Sequence, residues 1–191
     1  MDNVTPQDES IFPEMDIRFA KFWARFGALL IDGILILIVT VPVTFYNVTH
    51  WKTPLFFILT SLVTIIYKPF MEYRFGATLG KMAVGIQVVG YEFQKITLQE
   101  ELRRVSFHLV PNIISEIIML KFYFSGDLKL VETYKEYNTQ ITSSNPALLW
   151  LNGIVFVLFI ADAITFFSNA QNRSLHDLYA GTYVIERDRN V

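Results

Sequence analysis

The sequence contains no cysteine. Disulfides, thiolate nucleophiles and cysteine-ligated metals are therefore excluded. It also lacks a basic excess: its formal net charge is −2. A nucleic-acid surface needs a basic field, so no nucleic-acid partner is expected. The first residues carry Asp2, Asp8 and Glu9 with no basic n-region, and residues 1–16 read as a solvated acidic tail rather than a secretory signal. No repeat of solenoid period and no low-complexity tract is present. There is no His/Glu metalloprotease spacing and no serine nucleophile elbow. The segment Gly76 to Lys81 is one residue too short for a phosphate loop and continues with Met82 in place of Ser or Thr. No enzymatic activity, cofactor or metal site is expected.

Charge is also missing from long stretches, and this is the informative absence. A bilayer core of about 30 Å needs roughly 20 mostly apolar residues as a helix. Residues 26–46 hold thirteen Leu, Ile, Val and Phe and one charge, Asp32. At about −0.3 to −0.6 kcal/mol each, those side chains outweigh the roughly +2.5 to +3.5 kcal/mol of a central aspartate. Residues 54–73 reach span length if Lys68, Pro69 and Glu72 lie in the interface, with Pro54 in the first turn. Residues 147–168 form a span broken only by Asn152 and Asp162.

Residues 97–124 are helical by pattern. Glu101, Arg104, His108, Asn112 and Ser115 share one face, Glu116 sits at its edge, and Leu, Ile and Val fill the other. Such a helix can lie flat in the interface or cross with its polar stripe turned inward. Charge bias favours crossing. With four spans, twelve of the sixteen Lys and Arg fall on one side, which the positive-inside rule makes cytoplasmic. The expected architecture is an all-α membrane protein, a four-helix transmembrane bundle spanning 17–186. Both termini are cytoplasmic in a bacterial inner membrane, and residues 187–191 form a short tail. Two β-branched runs on the cytoplasmic side, Ile86–Val89 and Thr182–Ile185, are expected to pair as strands.

Intramembrane carboxylates usually face protein or water and often mark an ion path. Asp32 is the leading candidate, followed by Asp162, Glu116 and the titratable neighbour His108. Each also has a purely structural reading as an interhelical hydrogen-bonding group.

Three motifs occur in order: Phe22-Trp23-Ala24-Arg25-Phe26 leading to Ile31-Asp32; Gly76 to Lys81 with Gly85-Ile86-Gln87-Val88-Val89; and Arg173-Ser174-Leu175-His176-Asp177 before Ala180-Gly181-Thr182. Together they resemble the RDD family of small polytopic membrane proteins, named for an arginine and two aspartates. The resemblance implies Arg25 and Asp32 as the first two of these, and Asp177 as the second aspartate, with Asp162 nearby. It implies a membrane protein proposed to act in transport, some relatives being associated with cation–proton antiport. The polar connection from Ser125 to Asn145 has no counterpart in those motifs. Two functions follow as expectations. One is transport of a cation or small solute, expected as an oligomer, since four helices make a thin wall. The other is an accessory or assembly protein without a pathway, in which Arg25, Asp32 and Asp177 are a clamp. Arg25 is expected to pair with Asp177, leaving Asp32 deeper, held by Asp162, Thr165 or the third helix.

Overall fold

In the computed structural model, residues 17–187 are described, so the acidic tail and the last four residues lie outside the described part. Among the described residues, four helices are long and apolar enough to cross a membrane. The first, α1 (Phe22–Tyr46), starts earlier than its apolar run and continues as a π-helical turn over Asn47–Trp51. Thr53 caps α2 (Pro54–Phe75), its hydroxyl accepting the Leu55 N–H at 3.3 Å, and Pro54 enters where no intrahelical N–H is needed. A capping box of Thr97 and Glu100 starts α4 (Leu98–Ser125). The last spanning helix is α6 (Ala147–Phe167). Leu30, Ile38, Val39, Phe156 and Val157 are at least half exposed. An apolar surface of that extent is what a helix presents to lipid.

Polar groups decide how these helices pack. The stripe on α4 turns inward, with Glu101 and Arg104 both buried, which is the arrangement of a crossing helix rather than a flat one. Glu72, expected in the interface, faces protein there rather than solvent. It is fully buried, because Lys81 and Arg104 offer it cationic partners there.

Short elements close one end of the bundle: α3 (Leu79–Val84), β1 (Ile86–Val89), α7 (Leu175–Ala180) and β2 (Tyr183–Glu186). The two strands pair antiparallel, Val88 opposite Val184. The second begins one residue later than expected. Thr182 is excluded because its backbone is already engaged: its N–H bonds the Asp177 carbonyl and its own carbonyl accepts from Arg173. The chain entering α1 joins the same sheet, Ala20 N–H donating to the Val184 carbonyl and Glu186 N–H to the Arg18 carbonyl. Both described chain ends therefore lie at this end. A small core of Ala20, Ala28, Ile86, Val88, Ile96 and Val184 backs the sheet.

At the opposite end, the connection Ser125–Asn145 is folded. It contains a 3-10 turn over Asp127–Leu130 and α5 (Tyr134–Ser144). Tyr137 and Ile141, four apart on one face of α5, pack with Val48, Phe122, Leu128 and Val131 into a second core.

Candidate functional site

Two charged residues near the starts of α1 and α4 meet one from α7. The Asp177 carboxylate is fully buried, with Arg25 Nη1 at 2.5 Å from one oxygen and Arg104 Nη1 at 2.5 Å from the other. Arg104 Nε then reaches Glu72 at 2.9 Å, and Lys81 Nζ reaches the other Glu72 oxygen at 2.8 Å. The run Arg25–Asp177–Arg104–Glu72–Lys81 ties α1, α7, α4, α2 and α3 into one layer. Arg25 also donates to the Asn172 carbonyl at 2.7 Å, and Arg104 to the Thr182 hydroxyl at 3.0 Å. The buried carboxyl of Glu101 adjoins this layer with no hydrogen bond to either oxygen among the described residues. Burial pushes Asp177 up, but Arg104, His176 and Arg25 together hold it well below the usual carboxylate range. Burial also lowers the Lys81 ammonium to about 8, against the pull of Glu72.

Asp32 is placed apart from that layer. Its carboxylate accepts three hydrogen bonds: from Tyr67 Oη at 2.6 Å, Thr78 Oγ1 at 2.5 Å and the Gly80 N–H at 2.7 Å. None of the partners expected for it, Asp162, Thr165 or the α4 stripe, is used. The reason is the glycine motif. At Gly80 a Cβ would stand 2.2 Å from the Ala28 carbonyl oxygen and 2.8 Å from Asp32 Cγ. Only glycine lets α3 approach α1 closely enough for its first turn to cap the carboxylate.

Asp162 instead meets two histidines. One oxygen lies 3.1 Å from His108 Nε2 and 2.8 Å from His176 Nδ1, and the other accepts the His176 backbone N–H at 3.2 Å. Burial lowers His176, against the field of Asp177 and its bond to Asp162. Deeper along α4, Glu116 accepts from the Ser61 hydroxyl at 2.6 Å. His108, Asn112 and Glu116 line one wall of a cavity of about 290 Å³ between α4 and α2, and Thr64, Lys68 and Pro69 line the other.

The four pathway candidates thus separate. His108 and Glu116 share the cavity, Asp162 stands behind His108, and Asp32 belongs to a closed cradle. The sequence did not single out Glu72, Arg104 and Lys81 as partners, and it offered His176 as part of a motif without a role at the site. The inward stripe on α4 was the available signal for Arg104. No spacing links His176 to His108, because they come from different elements.

The sequence profile of the RDD family matches residues 19–181, most of the chain. No curated protein and no solved structure matches it.

Proposed function

The chain belongs to the RDD family of membrane proteins, and on that premise we propose that it carries a small cation or solute across the bacterial inner membrane, with Na⁺/H⁺ exchange as the specific form. The bias of Lys and Arg supports cytoplasmic termini in this reading. The observation that carries this reading is the α2–α4 cavity with a carboxylate inside it. Glu116 lies eighteen residues beyond Leu98 and nine before Ser125, the two ends of α4, or about 27 Å and 14 Å along the helix at 1.5 Å per residue. A carboxylate within a span is costly unless it serves a path or a partner, and among the described residues Glu116 accepts its hydrogen bond from Ser61.

In this reading Glu116 and His108 handle the ion, and Asp162 orients His108. Asp32 and the Arg25–Asp177 pair hold the bundle together. Four helices leave the wall thin, so a second copy is proposed to complete it. The test is flux in liposomes holding purified protein, an imposed Na⁺ gradient and an internal pH dye. Transport predicts dye response in the wild type and its loss in Glu116→Gln.

The rival is an accessory protein with no pathway. The closure of the Asp32 cradle and of the arginine–aspartate layer favours it, since neither offers a free ligand group. Absence of flux of Na⁺, K⁺ or H⁺ in correctly folded wild-type protein would replace the transport reading with this one.

A further inference from the structure

We infer that His108, Asp162 and His176 form a binding site for one divalent transition-metal ion of the zinc class. Their ligand atoms, two imidazole nitrogens and one carboxylate oxygen, all lie within 4.8 Å of one another. They come from α4, α6 and α7, so a metal would join three elements. Tetrahedral zinc with bonds of about 2.0–2.1 Å sets its ligand atoms roughly 3.3 Å apart. The two nitrogen–oxygen edges here measure 3.1 and 2.8 Å. The third edge, between the two nitrogens, is no longer than 4.8 Å, so occupation needs side-chain shifts of up to about 1.5 Å.

The outer partners are those of a metal site. His176 presents Nδ1 to the cluster, while its Nε2 faces Asp177 Oδ1 at 3.5 Å. A carboxylate behind a ligating imidazole fixes the ring and raises its basicity. Asp177 is itself held by two arginines. The second oxygen of Asp162 is occupied by the His176 backbone N–H, which aims the first at the cluster. The three ligand side chains keep 28%, 15% and 14% exposure, and His108 borders the α2–α4 cavity, so an ion has an approach and a fourth position stays open.

Charge and donor type set the class of ion. Arg104 is neutralised by Asp177 and Glu72, but Lys68 lines the same cavity and opposes a dication. A site relying on charge alone would therefore bind poorly. Imidazole nitrogen favours Zn²⁺, Ni²⁺ or Co²⁺ over Mg²⁺, Ca²⁺ or Na⁺. The inference does not rest on transport, because a metal here fastens α4, α6 and α7 whether or not an ion crosses.

Full-length protein without a histidine tag, stripped with chelator in detergent, would be titrated with Zn²⁺ by calorimetry. The expected result is one saturable ion per chain. Weakening by about tenfold or more is expected in His108→Gln and in His176→Gln, at least the loss seen when an outer partner is removed. The chain has three histidines, and the third, His50, lies beyond α1 at the far end, so His50→Gln should bind like the wild type. Co²⁺ bound to unmodified protein should show the intense visible bands of a tetrahedral site, a readout that no variant's folding can compromise. Failure of wild-type protein to bind Zn²⁺ saturably, or equal binding by a His108→Gln/His176→Gln double variant, would reduce the cluster to a hydrogen-bonded node. So would weak octahedral bands with Co²⁺. Because metal binding is read without flux, its failure leaves the transport reading to be judged on Glu116→Gln alone.

Discussion

Asp177 has two cations and Arg25 has one anion, so the two ends of that pair are not equivalent. Removing Arg25 leaves Asp177 with Arg104, while removing Asp177 leaves two buried or half-buried guanidinium groups facing each other. Breaking a buried pair costs about 3–5 kcal/mol. Asp177→Ala should therefore lower the yield of monodisperse protein in detergent more than Arg25→Ala, a difference size-exclusion profiles would resolve; equal losses would mean that Arg104 does not share the carboxylate. Gly80→Ala should be nearly as damaging, since its methyl would collide with the Ala28 backbone rather than with a movable side chain. Lys81 makes the prediction that depends on pH. Its folded value lies near 8 against 10.5 for the free side chain, so between those values the unfolded chain binds the extra proton and stability rises with pH. A detergent melt should gain stability from pH 8 to 10.5 in the wild type and gain less in Lys81→Met. The pairing of Arg25 with Asp177 was legible, because both sit at the edge of a span on one side. The partners of Glu72 and Asp32 were not. A sequence gives the depth of a charge along its own helix, but not which loop folds back over it, and the segment that follows α2 supplies Lys81 to Glu72 and Thr78 and Gly80 to Asp32.

At the scale of elements, the strands were visible as β-branched runs bounded by glycine, and their pairing follows from their lying on one side of the membrane. The cap opposite was not, because α5 is polar over most of its length. Only Tyr137 and Ile141 mark its inner face, and two apolar residues four apart do not distinguish a folded helix from a loop. Their burial now predicts that this cap contributes to stability by itself. Ile141→Ala should cost about 2–4 kcal/mol, the ordinary range for such a truncation in a core. The α5 core and the charge layer share no residues and lie at opposite ends of the bundle. Losses from Ile141→Ala and Arg25→Ala should thus add, as they do for distant sites. A double variant measured well short of the sum would show that the two ends unfold through each other.

Two independent observations support the proposed orientation of the whole molecule. Residues 18–20 hydrogen-bond to β2, so the described chain ends share one side and the number of crossings is even. Which side that is depends on Lys and Arg, twelve of which fall there and four on the other. Four of the twelve, Arg25, Lys81, Arg104 and Arg173, are shown by the fold to be spent on buried or half-buried contacts. Setting these aside still leaves eight against four. The remaining charges sit in short segments within reach of span ends, where the rule operates. Fusion of alkaline phosphatase, active only outside the cytoplasm, at residue 191 should therefore give no activity, while a fluorescent protein at the same point should mature. Phosphatase fused within the α5 segment, in the loop between α4 and α6, should be active. An active fusion at residue 191 with an inactive one at α5 would overturn this orientation, through inversion of the molecule against its charge bias or through failure of α4, whose mean hydropathy of 1.3 is the lowest of the four, to cross. Activity at both would put α5 and residue 191 on the same outer side and identify α6, the one span between them, as the helix that fails to cross.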